Sequence, residues 1–223
     1  MERKIREYEE RRLESVKLAS KLLLASATTT PRVGGVDEIS IHVLDNKDDI
    51  EDLSITIDRM ADDNPRWDFF HSDAVEVRDA DVVMIMADRR SGYDPMDSNC
   101  NLCGYLLCDG LRDAERLPDE PSVAFRGPFC LLRSMNMAYA LNGAVTLARQ
   151  LGIDHTIKMS VGAAALRMDL LPYKCDIALG FLASVTEKNP FMDLPREWAE
   201  YNDETLQNRL IHRLFPVFRS IYC

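Results

Sequence analysis

The fold is decided by the stretch Asp81-Val82-Val83-Met84-Ile85-Met86-Ala87. Its apolar residues are consecutive rather than alternating, which is typical of a strand that is covered on both faces. We therefore predict a strand over residues 82–87 at the centre of a sheet.

Alternating helix and strand patterns precede this stretch. Apolar residues at helical spacing among charged ones predict amphipathic helices, and apolar residues that alternate with polar ones predict a half-buried strand. Pro31 and the two glycines after it end the first helix. The predicted elements are a helix over 1–27, a strand over 39–43, a helix from its cap Asn46 to the stop at Asn64-Pro65, and a short helix over 69–80.

The segment after residue 130 continues the alternation. Residues 131–151 are apolar nearly all round, which predicts a buried helix that ends at Gly152. A short helix over 163–169, a buried strand over 177–182 and a C-terminal helix over 203–220 follow, and His155 is expected in solvated chain after the helix stop. Strands that alternate with helices predict an α/β fold of three layers, with the sheet between helices.

The composition excludes several classes of partner. The 223 residues carry 27 Lys and Arg against 37 Asp and Glu, a formal net charge of −10, and 46% are hydrophobic. Nucleic acids and anionic membranes are polyanions, so a chain this acidic without a basic cluster is not expected to bind them. No apolar run approaches the roughly 20 residues of a membrane span. The charged start does not resemble a signal peptide, and we expect a cytoplasmic protein.

Four of the six cysteines are clustered. Cys100, Cys103, Cys108 and Cys130 have the spacing C-x2-C-x4-C-x21-C, whereas Cys175 and Cys223 stand apart. A cytosolic chain with its own core has little need of disulfides, so clustered cysteines there indicate a metal site. Short spacings let neighbouring thiolates turn toward one centre, and Gly104 lets the backbone pass close to it.

The spacing of the cysteines alone is compatible with three kinds of site. An iron–sulfur cluster needs four thiolates from a compact loop, and a helix over about 105–116 would point its N-terminus at that anionic centre. Structural zinc uses the same four thiolates but is usually held by paired C-x2-C knuckles, so we favour the cluster. The third is a set of buried thiols without metal. We interpret Cys175 as a core thiol and Cys223 as part of an exposed tail.

These residues resemble a known family, the uncharacterised ferredoxin-domain-containing proteins of anaerobic bacteria and archaea. The resemblance implies that Cys100, Cys103, Cys108 and Cys130 bind a 4Fe–4S cluster, and it supplies no substrate. It covers about residues 10–193 and includes, besides the strand and the cysteines, Thr30-Pro31-Arg32, residues 35–37, Gly127-Pro128, Ala140 to Ala144, Val161-Gly162, Lys188-Asn189, Phe191 and Asp193.

The order of elements is also similar to the flavin-dependent nitroreductase fold, with the cysteine segment inserted. That resemblance implies an FMN cofactor at a homodimer interface. The arginine-rich start of the nitroreductases has no match in this chain, because Arg11 and Arg12 lie on the first helix. Arg32 is then a candidate ligand of the flavin phosphate, and the alternative is a solvated arginine in a tight turn.

Together these patterns predict one α/β domain over 1–194, an inserted iron–sulfur segment over 88–130, and a helical extension over 195–223. We expect an iron–sulfur redox protein, either an oxidoreductase itself or an accessory to a reductase. It would exchange electrons with a donor or acceptor protein or with a small molecule. An FMN-dependent nitroreductase-like oxidoreductase and a non-enzymatic module with structural zinc are the alternatives. No nucleic-acid or membrane partner is expected.

Overall fold

The computed structural model of the protein describes residues 2–34, 39–89, 100–116 and 123–192. Several predictions therefore lie outside the described residues. They are residues 35–37 and Asp193 of the family pattern, the helix over 203–220, the extension over 195–223, and Cys223.

Four strands form the sheet: β1 (Ile39–Leu44), β2 (Val82–Arg89), β3 (Asp154–Lys158) and β4 (Cys175–Ser184). Their order is β1-β2-β4-β3, and each neighbouring pair is antiparallel. On β2, Met84 lies opposite Val43 on one side and Phe181 on the other. The prediction that the apolar stretch is a central strand is confirmed.

Six helices surround this sheet in the described part of the chain: α1 (Glu2–Thr29), α2 (Lys47–Asp63), α3 (Phe69–Asp79), α4 (Cys108–Arg112), α5 (Leu131–Leu151) and α6 (Met159–Arg167). Asn46 caps α2, because its side chain accepts a hydrogen bond from the Asp48 amide at 3.1 Å. Gly152 ends α5 with φ of 68°. None of the helices within the described ranges is long and apolar enough to span a membrane.

The helices lie on the two faces of the sheet. Val83, Ile85 and Ala87 of β2 belong to the core formed with α2, α3 and α6. Val82, Met84 and Met86 point to the opposite face and belong to the core formed with α1 and α5. Because successive strand residues alternate between two covered faces, every position of β2 from Val82 to Ala87 needs an apolar side chain. The predicted three-layer α/β fold is confirmed.

Strand β3 was missed by the sequence patterns, and the expectation that His155 is solvated is wrong. His155 lies on β3 and stacks on Phe181 of β4, with ring centroids 5.5 Å apart. The strand lies at the edge of the sheet, four of its five residues are polar, and its one apolar residue, Ile157, is exposed, so its sequence lacks the alternation that would indicate a strand. Helix α6 consequently begins at Met159 rather than at residue 163.

Two helices differ from their predicted form. Helix α5 is buried on one face only, since Leu131, Met135 and Tyr139 are exposed, and the prediction of all-round burial is wrong. The helix belongs to an outer layer with α1, so only one side of it meets the core. Helix α4 covers residues 108–112 rather than 105–116, and Gly104, with φ of 85°, lies in the irregular chain before it.

Helix α6 lies directly on β4 through two glycines. A Cβ atom at Gly162 would lie 1.8 Å from the carbonyl oxygen of Ala178, and one at Gly180 would lie 2.1 Å from Val161 Cγ1. Both distances are far below van der Waals contact. This close contact fixes the position of α6, and thereby of the residues at its C-terminal end.

Candidate metal centre

The four predicted ligands lie on two segments of the chain. Cys100 and Cys103 lie in the irregular segment before α4, Cys108 is the first residue of α4, and Cys130 is the N-cap residue of α5. Cys100 is exposed and the other three are half-buried. The predicted insertion over 88–130 is described only in part, over 100–116 and 123–130, and its boundaries stay a prediction.

Cys103 lies close enough to Cys130 to interact with it electrostatically. Burial raises the pKa of the Cys130 thiol, and Cys103 raises it further, because two thiolates repel each other. The two cysteine-bearing segments are therefore on the same side of the fold. A bound metal cation would offset the repulsion, because its positive charge compensates the negative charges of the thiolates that coordinate it.

The start of α5 provides positive potential at Cys130. The backbone amides of Leu132 and Arg133 and the guanidinium group of Arg133 all favour the thiolate and oppose the rise of the Cys130 pKa. Helix α5 has 21 residues, so the partial positive charge of its N-terminus acts on the same sulfur. This environment suits an anionic sulfur centre.

The donor set fits a thiolate-bound metal in its chemistry, because four cysteines lie within residues 100–130 and Cys130 lies at the N-terminus of α5. Among the described residues, however, no three Cys, His, Asp or Glu side chains lie close enough together to hold a metal ion. Cys100 and Cys108 thus do not complete the group in this arrangement. The ligand assignment as a whole stays a prediction.

A buried carboxyl group, that of Asp88, lies near the end of β2. Asp88 is 3% exposed, and its Oδ1 accepts hydrogen bonds from the amides of Asp176 at 3.2 Å and Ile177 at 3.0 Å. Burial raises the pKa of Asp88 and the Asp176 carboxylate adds to the rise, whereas the two amides and Arg133 oppose it. Arg133 thus interacts electrostatically with both Cys130 and Asp88.

Asp88 predicts a pH dependence of stability. Its pKa is higher in the folded than in the unfolded chain, so the folded protein binds more protons between the two values. The free energy of unfolding is therefore expected to decrease as the pH rises from the ordinary pKa range of aspartate through the raised pKa of Asp88. The Asp88→Asn variant, whose amide oxygen can accept the same two hydrogen bonds, is expected to lack this loss in urea unfolding at a series of pH values.

The matched control is Asp52→Asn, on the exposed face of α2. Its free energy of unfolding should change with pH as that of the unmodified chain does. If the Asp88→Asn variant also shows that pH dependence, burial of the Asp88 carboxyl group is not its cause.

An ion pair ties the cysteine segment to the sheet. Arg116 Nη2 lies 3.2 Å from Asp176 Oδ2 on β4, and both side chains are largely buried. Arg116 Nη1 also donates hydrogen bonds to the carbonyl oxygens of Leu111 at 3.0 Å and Ala114 at 3.2 Å. The residues that follow Cys108 are therefore anchored beside the start of β4.

Two other predicted residues lie elsewhere. Arg32 follows α1, and its Nη2 donates hydrogen bonds to the carbonyl oxygens of Thr28 at 2.6 Å and Ala27 at 3.4 Å. Its guanidinium group thus caps the end of α1, and its role toward a flavin phosphate stays a prediction. Cys175 opens β4, where it is half-buried, packs against the core and also lies on a cavity wall.

The sequence patterns missed Asp88 and Arg133. Arg133 had a weak signal, because it lies three residues after the last clustered cysteine, within the first turn of a predicted helix. Asp88 directly follows the predicted central strand. Neither position reveals that the two residues interact, because their contact depends on how α5 packs beside the end of β2.

A relative from Archaeoglobus fulgidus, described as an uncharacterized protein, is 29% identical over 180 residues, which cover 81% of this chain and 92% of the relative. The shared length includes most of the α/β domain. Its description names no activity.

Solved structures of two enzymes are similar in fold. Nitroreductase A from Vibrio parahaemolyticus has a TM-score of 0.48 at 13% identity, with 86% of this chain and 74% of that chain covered. The NADPH:FMN oxidoreductase from Vibrio harveyi, complexed with NAD+, has a TM-score of 0.47 at 10% identity, with 85% and 75% covered. These similarities concern the fold alone.

A family match covers part of the chain. It includes Cys130, helices α5 and α6 and strands β3 and β4, whereas Cys100, Cys103 and Cys108 precede it. Residues 126–194 match the family described as uncharacterized proteins containing a ferredoxin domain (DUF2148), the family that the sequence resembles.

Proposed function

We propose that this protein is an iron–sulfur redox protein in which Cys100, Cys103, Cys108 and Cys130 bind one 4Fe–4S cluster. The observation that carries the proposal is the C-x2-C-x4-C-x21-C spacing of the four thiols. Cys130 lies at the positive N-terminus of α5, and Cys103 is close enough to interact with it electrostatically. The ferredoxin-domain family match, which contains Cys130, supports the same assignment.

The cluster would supply one-electron oxidation and reduction. The chain's own residues bind it and set its charge. Arg133 and the first amides of α5 would offset the negative charge of the Cys130 thiolate, and Asp88 is close enough to Arg133 to interact with it electrostatically. Hydrogen bonds and charges of this kind tune the potential of such centres.

Binding of four ligands requires Cys100 and Cys108 to approach the Cys103 and Cys130 pair. Residues 100–107 contain neither helix nor strand, so the loop can rearrange without breaking a ladder of backbone hydrogen bonds. The left-handed backbone at Asn101 and Gly104, with φ of 55° and 85°, already folds this loop tightly.

The position of the segment suits exchange of electrons with an external partner. Cys100 is exposed, and the loop presents Leu102, Leu106 and Leu107 to the surface, with Leu106 82% exposed. We propose that the partner is a redox protein or a small acceptor that approaches this loop.

Anaerobic purification followed by spectroscopy tests the proposal. We expect brown protein whose broad visible absorbance bleaches when dithionite is added and returns on reoxidation. Colourless protein with bound zinc would contradict the redox function and favour a structural metal. Release of FMN on denaturation without any iron would contradict the cluster and favour a flavin-dependent oxidoreductase.

A further inference from the structure

A cavity of about 340 Å³ lies between the C-terminal end of α6, residues 123–126 and residues 169–176. This volume is in the range of small-molecule sites. The sequence patterns singled out none of its side chains for binding, and the iron–sulfur proposal does not use them.

The rim of the cavity is cationic. Arg126, Arg167 and Lys174 line it and are exposed, and Asp169 is the exposed carboxylate among its lining residues. The remaining charged lining residue, Asp176, is buried and forms an ion pair with Arg116 at 3.2 Å. The rim therefore has a net positive charge on a chain whose formal net charge is −10. A positive concave surface on an acidic protein attracts anions.

Apolar side chains form part of the inner surface of the cavity. Ala163 and Leu171 are buried there, Phe125 and Leu166 are half-buried, and Tyr173 is exposed. Tyr173 is held by Arg89, whose guanidinium carbon lies 3.7 Å from the ring centroid. Aromatic side chains beside a small apolar wall suit a flat hydrophobic group.

We propose that this cavity binds a small organic anion, with its flat apolar part against Phe125, Leu171 and Tyr173 and its anionic group at Arg126 and Lys174. A carboxylate and a phosphate both satisfy the cationic rim. The apolar wall selects a ligand with an unsaturated or aromatic body over a simple inorganic anion.

The cavity lies at the end of the sheet that also carries the cysteines. Cys175 on its wall lies opposite Arg89 of β2, and Arg133 Nη1 donates a hydrogen bond to the carbonyl oxygen of Arg89 at 3.4 Å. An anion bound here would therefore lie near the proposed redox centre. Binding of the anion does not depend on which metal the cysteines hold.

Isothermal titration calorimetry on the purified full chain tests the inference. The probes are benzoate, which joins a carboxylate to a ring, and acetate, which carries the carboxylate alone. We expect saturable binding of benzoate with one site per chain, weakened by added salt, and at least about tenfold weaker binding of acetate because the ring buries apolar surface.

Two charge-reversed variants localise the site. Arg126→Glu/Lys174→Glu is expected to weaken benzoate binding by at least about tenfold through like-charge repulsion. Arg11→Glu/Lys21→Glu makes the same change of charge on the exposed face of α1 and should leave binding unchanged. The urea unfolding midpoint checks that both variants are folded.

Three results would overturn the inference: no saturable heat with benzoate up to millimolar concentration, equal affinity for acetate and benzoate, or equal weakening in the two double variants. Metal analysis of the same samples shows whether benzoate binds in the absence of iron. The result for this cavity can therefore be judged separately from the iron–sulfur proposal.

Discussion

The Gly162→Ala variant is expected to be strongly destabilised, by about 3 kcal/mol in urea unfolding. The new methyl group would lie 1.8 Å from the Ala178 carbonyl oxygen and 2.2 Å from its carbonyl carbon. These are backbone atoms of β4, so no side-chain rotation can relieve the contact. Helix α6 must move away from the sheet, which opens the core that it shares with α2 and α3.

Gly152→Ala is the matched control for this prediction. Gly152 has φ of 68°, but no atom lies within 4 Å of the place that a Cβ would take, so only backbone strain of about 1 kcal/mol is expected. Equal destabilisation of the two variants would mean that the close packing of α6 on β4 contributes little to stability.

The Cys130→Ser variant is expected to lose bound iron by at least about tenfold while the fold is kept. Serine is a favourable N-cap residue, so α5 should begin at the same place. Loss of metal without loss of structure would then come from the missing thiolate. Cys103→Ser should lose iron to the same extent, because Cys103 is the neighbour of Cys130.

Cys175→Ser provides the control, since Cys175 lies on the wall of the cavity and outside the cysteine cluster. It should retain the iron content of the unmodified chain. Iron analysis and far-ultraviolet circular dichroism on the same anaerobic samples compare metal and fold. Full iron retention by Cys130→Ser would remove Cys130 from the ligand set.

The fold was predictable where burial leaves a pattern in the sequence. Strand β2 is apolar at every position from Val82 to Ala87 because both of its faces meet a helical layer. Strand β3 was not predictable, because an edge strand with half-buried polar residues has no such pattern. The burial of α5 was overpredicted, because Leu131, Met135 and Tyr139 are apolar and yet exposed.

The site was predictable only as a set of residue types. Cysteine spacing is a property of the sequence alone, so the four thiols could be grouped without knowledge of the fold. The electrostatic interactions of Cys103 with Cys130, and of Arg133 with Asp88, depend on tertiary packing. The cationic cavity was hidden for the same reason, because residues 126, 167 and 174 are brought together only by the fold.

The sheet explains why these features share one end of the molecule. Strand β2 ends beside the start of β4, where Arg89 lies opposite Cys175. Asp88 binds the first amides of β4 and interacts with Arg133 of α5. The cysteines at the start of α5 and the cavity beside β4 are thus held by the same strand ends.

The four clustered cysteines are proposed to hold an iron–sulfur cluster, and the most direct test is the iron and acid-labile sulfide content of the anaerobically purified full chain. We predict iron and sulfide in equal amounts, in the proportion of one 4Fe–4S cluster per chain. Zinc bound in place of iron, or iron without acid-labile sulfide, would contradict this assignment.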